Sequence, residues 1–270
     1  MRERTEALLT KLFGDHPREL SVSSCALTGG LEAAGVHCVT ARYCDPALHP
    51  HMLCFVVKRL EGQSAREAEV YKTLVAQHAA QLAPRLLHVE TDPSGATLYL
   101  ELVSRCRTWP WDDVASCSMV LAALAGLHRS ARDVMLPPWD YEQALADSAA
   151  STLELMEANR SDPLVPDFAR AIRVTRRLID LLPSARQQML ELVPLGCTSV
   201  HGDVHSGNAL IRSQGGREMP VLLDWGRARR GSPLEELTSA AAQVEQHVPE
   251  QHQDPGAEQH RRQPGVPSSR

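Results

Sequence analysis

The segment His201-Gly-Asp-Val-His-Ser-Gly-Asn208 is followed, sixteen residues after Asn208, by Asp224-Trp225. This order sets three oxygen-bearing side chains at a spacing that suits phosphoryl transfer from a nucleotide, a reaction that depends on positioning and charge neutralisation. Asp203 can accept a proton from an attacking hydroxyl group. Asn208 and Asp224 offer the oxygen ligands that Mg²⁺ prefers. We therefore predict that Asp203 is the catalytic base and that Asn208 and Asp224 bind the metal.

The residues between Asn208 and Asp224 predict a β-hairpin. Two short apolar runs, 209–212 and 220–223, are separated by a glycine-containing connection that is typical of a turn. A hairpin of this length begins just after Asn208 and ends just before Asp224. Both side chains would then face the same cleft. Residues 198–200 predict a further short strand that leads into the His-Gly-Asp turn.

The combination of His-Gly-Asp-x-x-x-x-Asn, an apolar strand and Asp-Trp resembles the aminoglycoside phosphotransferase and choline kinase-like family, a branch of the protein-kinase-like fold. Residues 229–237 also resemble the family's Gly-Asp-Pro-x-x-Asp-Leu segment, with Ser232 and Glu236 where Asp is favoured. The resemblance implies an α+β fold of two lobes. Residues 1–103 would form a nucleotide-binding N-lobe built on a small antiparallel β-sheet. Residues 104–240 would form a mainly helical C-lobe that carries the catalytic loop and the metal site.

The resemblance also implies a function, namely ATP- and Mg²⁺-dependent transfer of the γ-phosphate to a hydroxyl of a small-molecule acceptor. In such enzymes a Lys contacts the α- and β-phosphates and is held by a Glu of the next helix. Lys58 ends the apolar run 52–58, and Glu67 lies in the helical segment that follows, with Glu69 as the alternative. Ser64 and Glu67 also form a capping-box pattern, which predicts a helix that begins near Ser64.

Two further segments are assigned to nucleotide binding. Gly29 and Gly30 lie between two strand-like runs, where glycine lets backbone N–H groups approach phosphates closely. An ordinary hairpin turn is the alternative for these glycines. The resemblance places the hinge between the lobes at residues 101–103, so adenine would bind main-chain groups of Glu101 and Val103.

The composition favours a globular protein, because 43% of its 270 residues are hydrophobic and 23% are charged. A net charge of −5 argues against nucleic acid or an anionic membrane as a partner. The charged N-terminus lacks the apolar core of a signal peptide. Seven cysteines without a Cys-x-x-Cys pattern are typical of reduced thiols, so we expect a cytoplasmic protein. The oligomeric state is left open.

Residues from 111 to about 193 have helical periodicity. Pro183 is expected to interrupt a helix that runs from 168 to 182, because proline removes a backbone donor. His128 lies at the end of the first predicted helix, where we expect it to pack or cap. The last thirty residues, 241–270, contain no Leu, Ile, Met or aromatic residue, which predicts a disordered tail. The resembled family usually has several more helices there, so a shortened C-lobe is expected.

Three functions are open at this point. The leading hypothesis is the small-molecule kinase. The second is a catalytically impaired nucleotide-binding remnant, because a shortened C-lobe would leave the acceptor pocket incomplete. The third is a metal-dependent hydrolase that uses His201, Asp203 and His205 as ligands. The helical region carries acidic and basic side chains without a clear bias, so the sequence does not identify the acceptor.

Overall fold

In the computed structural model, a β-sheet lobe is followed by a mainly helical lobe, which confirms the predicted fold class. The described residues are 1–27, 35–104, 106–108, 114–160, 168–192, 197–205 and 207–237. Gly29, Gly30 and the predicted tail 241–270 lie outside these ranges. The sheet of the first lobe ends at Glu101, close to the expected boundary after residue 103, which stays a prediction.

The N-lobe contains a five-stranded antiparallel sheet with the spatial order β1-β2-β3-β5-β4. Its strands are β1 (Arg18–Ala26), β2 (Gly35–Cys44), β3 (Pro50–Glu61), β4 (Leu86–Asp92) and β5 (Gly95–Glu101). Side chains alternate between the two faces of a strand. Phe55 and Val57 therefore pack against the N-terminal helix α1 (Arg2–Phe13). Leu60 lies on the opposite face and packs in the larger apolar core, which is described below. Lys58 shares the face of Leu60, which points it toward the C-lobe.

A continuous helical segment over residues 62–79 follows β3. It begins as a 3₁₀ helix at Gly62–Arg66, becomes the α-helix α2 at Glu67–Val70 and widens to a π-helix at Tyr71–Ala79. The segment begins two residues before Ser64, close to the predicted start. The predicted capping box is wrong, because the carboxylate of Glu67 accepts from Lys58 and from the Trp225 backbone. A tertiary contact has replaced the local one.

The C-lobe combines three long helices with two small sheets. The helices are α3 (Val114–Ser130), α4 (Tyr141–Ala158) and α5 (Phe168–Leu192). The first sheet has the order β6-β8-β9. Its strands β8 (Ala209–Gln214) and β9 (Arg217–Leu222) form the predicted hairpin, and β6 (Cys106–Thr108) pairs with β8. The second sheet pairs β7 (Thr198–Val200) with β10 (Arg229–Gly231). Residues 233–237 form a last helical turn.

The larger of the two apolar cores spans both lobes. Leu98 of the N-lobe sheet, Leu74 of the π-helix, Leu124 of α3 and Trp225 next to the hairpin all belong to it and are almost fully buried. Burial of this kind is the main stabilising term in a fold. The shared core fixes the position of the hairpin relative to β3. None of the described helices is both long and apolar enough to span a bilayer.

Helix α5 continues through Pro183, so the predicted interruption is wrong. The amphipathic pattern outweighs the local cost of the proline, because α5 packs along α4 on one side. Its solvent face still carries large apolar side chains, and Val174, Leu178 and Leu181 are exposed.

We predict that Pro183→Ala stabilises the protein by about 1–3 kcal/mol, because alanine restores one helical hydrogen bond and removes a ring clash. The measurement is the free energy of unfolding from urea titration followed by circular dichroism. Arg177→Ala, at an exposed position of the same helix, is the control and should change the value by less than about 0.5 kcal/mol. An unchanged or lower stability of the Pro183 variant would contradict the continuous helix.

Candidate active site

Asp203 is held in a tight turn directly after β7. Gly202, which precedes it, has a φ of +84°. A Cβ atom at this position would lie 2.3 Å from the carbonyl oxygen of Arg227 and 2.2 Å from Nη1 of Arg229. Glycine alone tolerates both the left-handed backbone and this close approach. The requirement explains the Gly of the His-Gly-Asp motif in physical terms.

His201 joins the turn to the end of the hairpin. Its Nε2 donates to the carbonyl of Leu223 at 2.9 Å, and its Nδ1 accepts from the backbone N–H of Asp203 at 3.2 Å. The ring is fully buried and meets the edge of Trp225, with ring centroids 4.6 Å apart. One nitrogen donates and the other accepts, so the ring is neutral. Burial also lowers the pKa of His201.

These contacts weaken the hydrolase alternative. A metal ligand needs a free imidazole nitrogen, but both nitrogens of His201 already have partners. His205 lies close to the carboxylate of Asp203, at 3.7 Å. Among the described residues, no group of three or more His, Cys, Asp or Glu is arranged to hold a metal ion.

Glu236 supports the turn from the last helical turn of the described chain. Its buried carboxylate accepts from the backbone N–H of Gly202 at 2.7 Å and contacts Nε2 of His128 at 2.5 Å. Sequence reasoning noted Glu236 only as a departure from the favoured Asp and assigned it no role. The one indication in the sequence was the acidic side chain at position 236, where the resembled family favours Asp. His128 is buried and packs against Glu236. Because His128 lies far from Asp203 in the sequence, its connection to the turn through Glu236 could not be predicted.

The hairpin places the two predicted metal ligands side by side. The backbone N–H of Leu223 donates to the carbonyl of Asn208 at 2.8 Å, so Asn208 and Asp224 flank the open end of the same hairpin. The Nδ2 group of Asn208 donates to the backbone and to the carboxylate of Asp203, at 3.1 and 3.0 Å. This leaves the amide oxygen of Asn208 as the end that can bind a cation. Asp224 has a left-handed backbone, with a φ of 59°.

Lys58 connects the N-lobe to this hairpin. Its ammonium group donates to Glu67 at 2.6 Å and to Asp224 at 2.8 Å. The other carboxylate oxygen of Glu67 accepts from the backbone N–H of Trp225 at 3.2 Å. Glu69, the alternative partner, is exposed and pairs with Lys72. The structure therefore brings together Lys58, Glu67 and Asp224 from three different parts of the chain.

Burial and charge act in opposite directions on this trio. Burial disfavours the charged form of Lys58, but Glu67 and Asp224 outweigh it, and the pKa of Lys58 is raised. Burial also acts to raise the pKa of Asp224, but Lys58 reverses the effect and the pKa is lowered. For Glu67, burial prevails over the opposing effect of Lys58, and the pKa is raised. The lysine and Asp224 are thus held in their charged forms.

A cavity of about 340 Å³ lies between the lobes and is lined by Lys58, Glu67, Asn208 and Asp224. Glu101 and Val103 line its other end, where the resemblance places the hinge. The remaining lining is mostly apolar and comprises Leu27, Val36, Val56, Tyr71, Pro84, Leu100, Leu102, Gly207, Leu210 and Leu223. A mostly apolar cavity with a few polar groups at one end suits a planar base joined to a charged chain.

The side chain of Glu101 has a structural contact. Its carboxylate accepts from Arg212 of β8 at 3.1 Å and from the backbone N–H of Arg85 at 3.2 Å. These bonds tie the end of the N-lobe sheet to the hairpin. Glu101 lines the cavity and its side chain is engaged in these bonds, while its part in binding adenine stays a prediction.

Arg227 lies beside the predicted base and was missed by sequence reasoning. Its Nη1 is 3.6 Å from Oδ1 of Asp203. The opposite carboxylate oxygen, Oδ2, accepts from Asn208. Asp203 is thus oriented by one amide and one guanidinium group and stays partly open to solvent. The structure thus brings the predicted base, Asp203, next to the two predicted metal ligands and the predicted phosphate-binding lysine.

Comparison with known proteins supports the resemblance found in the sequence. The sequence model described as the phosphotransferase enzyme family, APH, matches residues 47–266. No curated protein matches the chain. Among solved structures, aminoglycoside phosphotransferase APH(3'')-Id from Streptomyces rimosus ATCC10970, in complex with ADP and streptomycin, is 15% identical. The match covers 94% of this chain and 87% of that chain, with a TM-score of 0.52. At this identity the likeness shows the fold.

Two further solved structures are similar at lower scores. An aminoglycoside phosphotransferase from Alicyclobacillus acidocaldarius subsp. acidocaldarius DSM 446 is 14% identical, with a TM-score of 0.48 over 85% of this chain and 70% of that chain. A thermostable mutant of aminoglycoside phosphotransferase APH(4)-Ia in its apo form is 18% identical, with a TM-score of 0.45 over 89% of this chain and 81% of that chain.

We predict that Lys58→Met lowers the free energy of unfolding by about 3–5 kcal/mol, because it leaves the buried carboxylate of Glu67 without its cation. Adding Glu67→Gln to this variant should restore part of the loss. Glutamine removes the charge and keeps an oxygen for the Trp225 backbone. The measurement is a double-mutant cycle from urea unfolding. Purely additive losses in the double variant would contradict the coupling of the two side chains.

We predict that stability falls as the pH is lowered below about 6.5, because the unfolded state then protonates His201 more readily than the folded state does. The folded pKa of His201 is lowered, so its contribution is complete above the unfolded pKa and decreases by up to about 1.4 kcal/mol per pH unit below it. The measurement is the pH dependence of unfolding between about pH 7.5 and 5.5.

The matched variant for this measurement is His201→Gln, which should lose less stability over the same range. His16→Gln, at an exposed position, serves as the control. Its free energy of unfolding should depend on pH as steeply as that of the wild-type protein. An equal slope for wild type and His201→Gln would show that the buried ring does not contribute.

Proposed function

The chain belongs to the phosphotransferase enzyme family, and we propose that it transfers the γ-phosphate of ATP to a hydroxyl group of a small molecule in a Mg²⁺-dependent reaction. The observation that carries the proposal is the ion pair of Lys58 with Glu67 and Asp224, next to Asn208 and Asp203. Enzymes that transfer phosphoryl groups need these five roles in one cleft.

The nucleotide would occupy the cavity between the lobes. Its base would lie against the apolar lining near Val103, and its phosphates would extend toward Lys58. The Streptomyces rimosus structure contains ADP, which supports a nucleotide in a protein of this fold. Lys58 would contact the phosphates while Glu67 keeps the ammonium group in position. Two glycines, Gly29 and Gly30, stay a prediction for the phosphate-covering loop, because they lie outside the described residues.

The donor set beside the cavity fits a magnesium ion. Asp224 provides a carboxylate whose pKa is lowered, and Asn208 turns its amide oxygen away from Asp203. One carboxylate and one amide oxygen, completed by phosphate oxygens and water, are ligands of the kind that Mg²⁺ takes. The ion would supply positive charge against the phosphates during transfer.

Asp203 would accept the proton of the acceptor hydroxyl. Its two carboxylate oxygens face Asn208 and Arg227, so the group is oriented from both sides. The turn that carries it is fixed by Gly202, His201 and Glu236. A fixed and partly exposed carboxylate can reach a hydroxyl presented from the solvent side of the cleft.

The proposed location is the cytoplasm. All seven cysteines are free thiols in the structure. Free thiols in several strands and helices persist in a reducing compartment. Similar structures include complexes with streptomycin and with hygromycin B. For this chain, the proposed acceptor is a small molecule with a hydroxyl group.

We predict that Asp203→Asn lowers phosphoryl transfer by about 10²-fold or more, because general base catalysis is lost, while the affinity for Mg²⁺-ATP stays within about twofold. The assay is ADP release with a panel of sugars, amino sugars and amino alcohols, combined with calorimetric ATP binding. Asp133→Asn, at an exposed position outside the cleft, is the control and should keep full activity.

Two outcomes would redirect this proposal. Tight ATP binding by the wild-type protein without transfer to any acceptor would support the impaired nucleotide-binding remnant. Full transfer by Asp203→Asn would exclude Asp203 as the base.

A further inference from the structure

A second cavity, of about 330 Å³, adjoins the catalytic turn, which is the turn at residues 201–203 that carries Asp203. Gly202 lines it on one side, and Ser64 of the 3₁₀ helix lines it on another. It shares none of its lining residues with the cavity between the lobes, where the nucleotide is proposed to bind. Arg227 also lines it, and this residue lies 3.6 Å from the carboxylate of Asp203. A molecule bound here can therefore present a hydroxyl to the predicted base while a nucleotide occupies the other cavity.

The second cavity has a positive lining. Its two charged lining side chains are Arg66 and Arg227, and no Asp or Glu is among the described residues that line it. Arg66 donates to the main-chain carbonyls of Gly226, Pro137 and Ala228. Carbonyl partners fix the position of a guanidinium group without cancelling its charge. The side chain of Arg227 is 42% exposed, so it can reach a ligand directly.

Aromatic rings contact Arg66 of this lining and two arginines beside the cavity, Arg186 and Arg229. The guanidinium of Arg66 lies 5.3 Å from the ring of Trp139, and that of Arg229 lies 3.9 Å from the ring of Tyr141. Arg186 covers Tyr141 as well, at 4.9 Å. Burial and the nearby charge of Arg229 both lower the pKa of Arg66.

The two carboxylates of the helical turn at residues 233–237 are engaged within the protein. Glu235 accepts from Arg229 and from the backbone N–H of Ser232. Glu236 accepts from Gly202 and contacts His128. A polycationic ligand needs carboxylates that can turn toward it, whereas these two are engaged within the protein.

We propose that the second cavity binds the acceptor and that this acceptor is a hydroxylated molecule with an anionic group, a carboxylate or a phosphate, rather than a polycationic amino sugar. The inference rests on the proposed function, since it takes Asp203 as the base that the acceptor must reach. Arg227 is the side chain that selects the charge of the acceptor, and Arg66 adds to the positive potential of the wall.

The test compares matched pyranose probes on the full chain loaded with Mg²⁺ and a non-hydrolysable ATP analogue. Glucuronate, glucose and glucosamine share one ring and differ in charge, and glucose 6-phosphate separates phosphate from carboxylate recognition. Ligand-observed NMR measures their dissociation constants. Glucuronate or glucose 6-phosphate should bind at least about threefold more tightly than glucosamine, as one partly exposed ion pair allows.

Two variants identify the residue responsible. Arg227→Glu should reverse the order of glucuronate and glucosamine, because it exchanges a positive for a negative charge at the cavity. Arg217→Glu makes the same change at an exposed position of β9 and should leave the order unchanged. Reversal by both variants would reduce the effect to net charge and overturn the role of Arg227.

The remaining outcomes separate this inference from the proposed function. Glucosamine that binds as tightly as the anionic probes, or the absence of binding by all four, overturns the inference even if ATP is turned over with another acceptor. A preference for the anionic probes together with failure to bind or use Mg²⁺-ATP leaves the charge preference intact and overturns the kinase.

Discussion

The ammonium group of Lys58 is the constraint on which the arrangement of the two lobes depends. It is buried on the central strand β3 and reaches Glu67 at 2.6 Å and Asp224 at 2.8 Å. A buried lysine is tolerated when it has charged partners. These partners come from the helical segment after β3 and from the end of the C-lobe hairpin. One cation therefore fixes the distance between the surface that would hold phosphates and the residues that would hold a metal.

A second constraint acts on the catalytic turn. At position 202 only glycine fits, because the backbone is left-handed and a Cβ atom would clash with Arg227 and Arg229. His201 ties the turn to Leu223, one residue before Asp224. The proposed base and the proposed metal ligand are thus linked through one buried imidazole. A shift of either element would move both groups together, which preserves their relative geometry.

The parts of the site that could be predicted are those in which chemistry and local structure agree. Asn208 and Asp224 flank a hairpin whose turn and strands are evident in the sequence, and strand alternation places Lys58 on an inner face. The bond from Glu236 to the turn and the position of Arg227 depend on tertiary packing, so sequence spacing did not reveal them. The capping box failed for the same reason, because Lys58 and Trp225 offered Glu67 stronger partners than a helix end.

The double role of Asp224 is tested most directly by the affinity for ATP with and without Mg²⁺, measured by calorimetry on the wild-type protein and on Asp224→Asn. We expect Mg²⁺ to strengthen ATP binding by about tenfold or more in the wild-type protein and to have little effect in the variant, because the carboxylate shared with Lys58 is the proposed metal ligand. Equal affinity with and without Mg²⁺ in the wild-type protein, or a full Mg²⁺ effect in Asp224→Asn, would contradict this double role.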